Sequence, residues 1–217
     1  MEDVLDLYHQ DYAPDHPVVC FDETSRQLVA DKRPAIGAKP GRVERYDYEY
    51  KRNGTRNLFM FCEPKAGWRH VEVTEQRTAV DFAHQMRWLV DEAYPHTETI
   101  RLVLDNLNTH KFGSLYDAFE PAEARRIAKR LELHYTPVHG SWLNMAEIEL
   151  SVFSNQCLNR RISDEVVLKR QVSVLEHERN QAAALIDWRF STQDARTKLQ
   201  HTYPPVSYTH LTLPTKA

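Results

Sequence analysis

The sequence contains few cysteines, and they do not have the spacing of a disulfide framework or a thiolate zinc site. Cys20, Cys62 and Cys157 are odd in number and widely separated, and no two of them form a CxxC pair. We therefore interpret all three as buried thiols.

Long apolar runs are also absent. A membrane-spanning helix needs roughly 18 consecutive apolar residues, and no stretch of the chain approaches that length. The first residues, MEDVLDLYHQDY, are acidic and lack the basic-then-apolar order of a signal peptide. These features predict a cytoplasmic protein with no membrane partner.

The chain carries no strong excess of either charge. Its 28 Lys+Arg and 31 Asp+Glu give a formal net charge of -3 and an isoelectric point near 6.4, so the whole-chain charge does not indicate a nucleic-acid partner. A length of 217 residues suits one domain with a substantial core.

Both ends differ in character from the body. Residues 1–17 contain a short helical pattern that stops at Pro14 and Pro17, and we interpret them as a linker, compatible with a fragment whose upstream domain is missing. From Pro205 the sequence PVSYTHLTLPTKA breaks the preceding pattern, and its reverse translation resembles a library-preparation adapter. We expect 205–217 to be non-native, with a natural disordered tail as the alternative.

The body, 18–204, alternates strand and helix patterns without an internal repeat. Short apolar runs predict strands at 18–21, 57–62, 69–74, 100–104 and 131–136. The first three should form an antiparallel meander. Helical spacing predicts helices over 78–94, within 106–130, from about 142 to 159, over 164–184 and within 186–199. The order predicts an α/β fold with a mixed five-stranded sheet flanked by helices.

Three carboxylates stand out against this pattern. Asp22 and Asp105 each follow an apolar strand run, and Glu147 projects from a narrow polar seam between apolar flanks of its helix. Strand-end aspartates converge if their strands are adjacent and parallel. Converging carboxylates repel one another unless a cation neutralises them, and oxygen ligands select Mg²⁺ or Mn²⁺. Taken singly, each acid could equally be a turn residue or a solvated surface residue.

The sequence motifs around these three acids resemble those of a known family. CFDET, VLDNLNTH and TPVHGSWLNMAEIELSVF are similar, in order and spacing, to the catalytic domain of bacterial IS630 group transposases, relatives of the Tc1/mariner elements. The resemblance covers about 4–204 and implies a ribonuclease-H-like fold. It also implies a catalytic, metal-binding triad of Asp22, Asp105 and Glu147. Two Mg²⁺ or Mn²⁺ ions would serve phosphodiester hydrolysis and strand transfer, with insertion at TA dinucleotides.

The resemblance has further implications for the site. DNA, both element ends and target, would be the partner of a homodimer in the bacterial cytoplasm at the nucleoid. Supporting residues would be Asn106 and His110 beside the metals or scissile phosphate, with His139, Ser141, Trp142 and Asn144 shaping the loop before the third acid. For Trp142 a packing role is the favoured interpretation.

The first and third acids each have a neighbouring glutamate that could be the site residue instead. Glu149 lies about 160° from Glu147 around the helix, which favours Glu147. Glu23 is the rival of Asp22, and because successive strand residues face opposite sides, only one of the two can face the site.

A basic segment is concealed by the neutral average. Between positions 32 and 56 eight basic residues stand against three acidic ones, a net +5, among prolines and glycines that indicate a flap. We predict DNA-backbone contacts from Lys32, Arg33, Lys39, Arg42, Arg45, Lys51, Arg52 and Arg56. The alternative is a solvated hairpin. A second basic set, Arg125, Arg126, Lys129 and Arg130, is interpreted as a solvated helix face.

Two other functions stay open from the sequence. One is a ribonuclease-H-like nuclease that cuts without strand transfer, and the other is an inactive DNA-binding remnant. A glycosidase would also use two carboxylates, but it gives no reason for a third acid on this helix.

Overall fold

The computed structural model describes residues 1–33, 36–45 and 48–203. Positions 34, 35, 46 and 47 of the predicted flap lie outside the described residues, as does the predicted non-native tail, 205–217. The helices and strands, in chain order, are α1 (Glu2–His9), β1 (Val18–Asp31), β2 (Tyr50–Glu63), β3 (Trp68–Thr74), α2 (Ala79–Trp88), β4 (Ile100–Leu104), α3 (Gly113–Ala118), α4 (Pro121–Ala128), β5 (Leu131–Tyr135), α5 (Met145–Gln156), α6 (Glu165–Gln181) and α7 (Thr192–Lys198).

The five strands form one mixed sheet in the order β3-β2-β1-β4-β5. β1, β2 and β3 are antiparallel neighbours, whereas β4 lies parallel to β1 and β5 lies parallel to β4. This confirms the predicted sheet of three antiparallel strands followed by two parallel ones.

The sheet separates two hydrophobic layers, because successive strand residues point to opposite faces. On one face Cys20, Met60 and Val103 pack with α5, α6 and α1. On the other face Phe21, Phe61 and residues of β4 pack with α2 and the α3–α4 pair. The strands buried on both faces read as continuous apolar runs for this reason.

Helix boundaries follow local capping. Thr78 and Asp81 form a capping box at the start of α2, and Asp164 caps α6 through the Val167 backbone N–H. Within the described residues, no helix is both long and apolar enough to cross a membrane.

Three features differ from the sequence expectations. β1 and β2 continue well beyond their apolar runs, pairing out to Asp31 and Tyr50, because backbone hydrogen bonds maintain the ladder where the side chains are polar. α1, predicted as a linker, is part of the core through Val4, Leu5, Leu7 and Tyr8. Residues 186–190, predicted within a helical segment, are not helical, and α7 starts only at Thr192.

Candidate active site

Asp22 lies where β1 separates from β4. The parallel pairing of Cys20 with Val103 has a register that, extended by two residues, places Asp22 beside Asp105. β4 ends at Leu104, whereas β1 continues along β2, so Asp22 is within a strand rather than at its end. The two aspartates therefore meet at the carboxyl end of β4, as adjacent parallel strands require.

Asp105 is held by a buried histidine. His110 is 1% exposed; its Nδ1 lies 2.5 Å from Asp105 Oδ1, and its Nε2 lies 3.0 Å from Glu23 Oε2. Burial opposes protonation of the ring, but the contacts with Asp105 and Glu23 raise the pKa of His110 to about 9. A protonated imidazole thus bridges two carboxylates.

Glu23 points away from Asp22, as strand alternation predicts. Its carboxylate faces His110 and Arg77, whose Nη1 lies 3.7 Å from Oε1. His110 itself packs against Phe21 and Phe82 on the α2 side of the sheet. Glu23 therefore supports His110, a role that the sequence analysis did not predict because it considered Glu23 only as an alternative to Asp22.

Glu147 lies in the first turn of α5, on a helix start tied directly to β1. Asn144 is 1% exposed; its Nδ2 donates to the Phe21 carbonyl at 2.7 Å, and its Oδ1 accepts from the Ala146 N–H at 3.1 Å. Tyr8 of α1 adds a second tie by donating to the Leu143 carbonyl at 2.8 Å. These bonds connect the backbone preceding Asp22 to the helix that carries Glu147.

Glu149 has a different environment. Its side chain is fully buried, Arg69 Nη2 lies 3.1 Å from Oε1, and Arg179 donates to both carboxylate oxygens at 2.7 and 2.9 Å. This carboxylate is already neutralised between β3 and α6. The structure thus places Glu147, and not Glu149, on the side of Asp22.

The electrostatics of Asp22 reflect these neighbours. Burial raises the pKa of Asp22 to about 7. The Glu23 backbone N–H, which donates to Asp22 Oδ1 at 2.8 Å, acts in the opposite direction and lowers this pKa. The negative charges of Glu23, Asp105 and Glu147 act in the same direction as burial. A partly buried carboxylate with this pKa is one that a nearby cation would stabilise in its charged form.

The donors fit a hard divalent cation in type and charge. All three side chains offer oxygen: Asp22 lies within β1, Asp105 directly follows the adjacent strand β4, and Glu147 lies in the first turn of α5. Across the described part of the chain, however, no three His, Cys, Asp or Glu side chains are grouped so that they could hold a metal ion as they stand. The site therefore supplies suitable donors without a preassembled metal cage.

The other predicted supporting residues occupy two loops beyond the strand ends. Asn106 is exposed in the loop after β4. His139 is exposed and has a φ of 60°, a left-handed conformation that is uncommon outside glycine. Ser141 opens the short 3-10 turn that contains Trp142, and this tryptophan is 42% exposed instead of belonging to the core.

The basic segment is an extended hairpin rather than only a flap. Lys51, Arg52 and Arg56 lie on β2 itself, and backbone bridges join Ile36 to Arg45 and Lys39 to Arg42. Lys32 pairs with Glu49 at 3.0 Å and Arg56 with Glu165 at 2.5 Å, so neighbouring acids offset part of the charge.

In the second basic set, Arg126 pairs with Asp91 and Arg130 donates to the Tyr94 carbonyl. Arg125, Arg126 and Lys129 are exposed, in agreement with the solvated-face interpretation, whereas Arg130 is partly buried and differs from it.

Comparison with known proteins identifies the family. The model of the DDE superfamily endonuclease family matches residues 17–169, most of the chain. The chain belongs to this family of endonucleases. A comparison with curated protein sequences found no match.

Solved structures confirm the ribonuclease-H-like fold. The Mos1 mariner paired end complex with Mn is similar with a TM-score of 0.51 at 15% identity, covering 78% of this chain and 52% of that one. A pre-cleavage Mos1 transpososome gives 0.50 at 15% identity, with 78% and 55% covered. The chain thus spans about half the length of these relatives. Its family and fold define a DDE superfamily endonuclease domain built on a ribonuclease-H-like sheet.

Proposed function

We propose that this chain is the catalytic domain of a DNA transposase of the IS630 group. It would hydrolyse phosphodiesters at the ends of its element and join the resulting 3′-OH to target DNA. The observation that carries the proposal is the proximity of Asp22, within β1, to Asp105, which follows the parallel neighbour β4, with Glu147 close enough to influence the pKa of Asp22.

The roles of the three acids follow from their positions. Asp22, Asp105 and Glu147 would hold two Mg²⁺ or Mn²⁺ ions. Such ions activate an attacking water or hydroxyl and stabilise the leaving oxygen. The neighbouring groups act on the acids: His110 orients the Asp105 carboxylate, and Asn144 fixes the start of α5 relative to β1.

The partner in this proposal is DNA, both element end and target, bound by a homodimer in the bacterial cytoplasm at the nucleoid. Support comes from the extended basic hairpin, where Lys39, Arg42, Arg45, Lys51 and Arg52 are all exposed. Such side chains neutralise backbone phosphates and give affinity without sequence specificity. The structurally similar Mos1 paired end complex and pre-cleavage Mos1 transpososome are consistent with this partner.

The experiment uses a labelled duplex containing the sequences that flank the gene, together with a target plasmid. We expect the chain to cut this duplex in Mg²⁺ and to yield a joined product, and we expect Asp105→Ala to abolish both. Glu178→Ala, which removes an exposed carboxylate from α6, is the matched control and should retain activity.

The outcomes separate this proposal from its alternatives. Cutting without a joined product would favour a ribonuclease-H-like nuclease. DNA binding without any cutting would favour an inactive remnant. Unchanged cutting by Asp105→Ala would overturn the assignment of the acids.

A further inference from the structure

Trp142 is a large aromatic side chain held partly in solvent at the edge of the candidate site. It lies in the 3-10 turn Ser141–Leu143, immediately before the helix of Glu147, and is 42% exposed. Its indole is nearly parallel to that of Trp188, with centroids 6.3 Å apart and planes inclined by 20°. Phe190 meets it edge-on at 5.6 Å.

The support behind Trp142 is itself fixed. Trp188 donates its Nε1–H to the Phe190 carbonyl at 2.8 Å. Its ring centroid lies 5.4 Å from that of the Tyr8 ring. Residues far apart in the chain therefore converge to hold the indole in one orientation. A tryptophan that needed only burial would not require a stacked partner at the surface.

The exposed part of Trp142 borders a groove along α5. This cavity, of about 460 Å³, is lined by Trp142 and Glu147 together with Ile148, Ser151, Val152, Asn155 and Gln156. Trp188 and Phe190 lie outside that lining, so they support Trp142 from elsewhere and leave it accessible from the groove. Apart from Glu147, the described lining residues are uncharged.

This lining suits a nucleobase better than a phosphate. A phosphate group would call for Lys, Arg or backbone N–H donors, whereas a base needs an aromatic face and a few polar groups for its edge. Trp142 supplies the face, and Ser151 and Asn155 supply hydroxyl and amide groups. A base inside an intact duplex is stacked on both sides and cannot use this face.

We propose that the groove binds an unpaired nucleotide of the strand being cut, with its base stacked on Trp142. The inference rests on the proposed function, because a scissile phosphate at the three carboxylates leaves the adjoining nucleotide next to a groove that contains Glu147. Base stacking of this kind tolerates any sequence, since every base has an aromatic face.

The test measures binding to duplex DNA that carries a short single-stranded extension, using the full chain in Ca²⁺ and verifying on a gel that no DNA is cut. One probe has ordinary bases in the extension, and the other has abasic nucleotides with the same phosphates. We expect the base-bearing probe to bind roughly tenfold more tightly. Trp142→Ala and Trp142→Leu should remove this preference, and Trp142→Phe should retain most of it.

Two results would overturn the proposal: equal binding of both probes by the wild-type chain, or an undiminished preference in Trp142→Leu. Trp142→Leu keeps apolar bulk, and circular dichroism verifies the fold of each variant. Mg²⁺-dependent cleavage by the wild-type chain is measured separately. If the wild-type chain cleaves DNA but shows no preference for the base-bearing probe, the stacking site alone is refuted. Absence of cleavage by the wild-type chain counts against the proposed function.

Discussion

Glu147 and Glu149 show how two identical side chains, two positions apart, can have unrelated roles. Glu149 is fully buried and paired with Arg69 and Arg179. Glu147 is partly exposed beside Asp22 and contributes to the raised pKa of that residue. One carboxylate is neutralised by the protein, and the other is the one that we propose as a metal ligand.

The first prediction compares conservative variants of these two glutamates. Glu147→Gln should reduce DNA cleavage by about a thousandfold, because metal ions contribute several kcal/mol of transition-state stabilisation. Its stability should change little. Glu149→Gln should instead lower the free energy of unfolding by about 3–5 kcal/mol, since it leaves buried arginines without their counter-charge. Urea unfolding and cleavage rates measure the two effects, and the reverse pattern would exchange the roles of the glutamates.

The sequence predicts which glutamate faces Asp22 but not what neutralises the other. Helical geometry separates Glu147 from Glu149 by about 160°, and strand alternation separates Asp22 from Glu23. The partners Arg69, Arg179 and His110 belong to β3, α6 and the loop after β4, and no local pattern pairs residues so distant in sequence.

At the scale of elements, Asn144 links β1 to α5. It caps the helix of Glu147 and also donates to the carbonyl of Phe21, the residue before Asp22. The sequence motif places Asn144 near the site but does not show that one amide serves both elements. The spacing between Asp22 and Glu147 therefore depends on a side chain that need not touch DNA or metal.

The second prediction separates these two bonds of Asn144. Asn144→Ser keeps a capping oxygen but leaves the Phe21 carbonyl without its donor, which should cost about 1–3 kcal/mol of stability. Cleavage should fall by about tenfold or more at equal folded fraction, because small displacements of reacting groups are costly. Mn²⁺ affinity, measured by calorimetry, should also fall.

The matched control for Asn144 is Asp164→Ser, which exchanges one good capping residue for another at the start of α6. It should leave cleavage and Mn²⁺ affinity unchanged. If Asn144→Ser behaves like this control after correction for stability, Asn144 is only a helix cap.

Element boundaries were predictable only where packing sets them. The predicted bounds of β4 coincide with the observed strand and those of β5 differ by one residue, but β1 and β2 extend through polar residues such as Arg26 and Lys51. These extensions are held by backbone pairing, and their side chains carry no alternating apolar signal. The same reasoning explains why the basic segment reads as a loop in sequence and forms a hairpin in the structure.

For the whole molecule, the neutral average conceals two opposite regions. Carboxylates converge at the end of β4, and basic residues occupy the extended β1–β2 hairpin. Net charge alone would have argued against a nucleic-acid partner. The separation of charge in space is what supports DNA binding.

If the basic residues of the β1–β2 hairpin bind DNA phosphates, their removal should change the salt dependence of binding. Lys39→Gln or Arg42→Gln should weaken DNA binding across sequences. Each should reduce the slope of log affinity against log salt concentration by about one, the value for one lost phosphate contact. Arg125→Gln, on exposed α4, is the control and should leave the slope unchanged. Fluorescence anisotropy over a range of salt concentrations measures these slopes. Equal slopes for all variants would remove the hairpin from the DNA-binding surface.

We propose that three carboxylates form a metal-dependent phosphodiester site, and the initial rates of DNA cleavage by wild type and Asp22→Asn measure whether they do. Both proteins are assayed on the same duplex with Mg²⁺ and with a chelator. We predict cleavage by the wild type only in Mg²⁺ and none above background by Asp22→Asn. Cleavage at the wild-type rate by Asp22→Asn would show that the site does not need Asp22, and equal cleavage in the chelator would show that it does not need a metal ion.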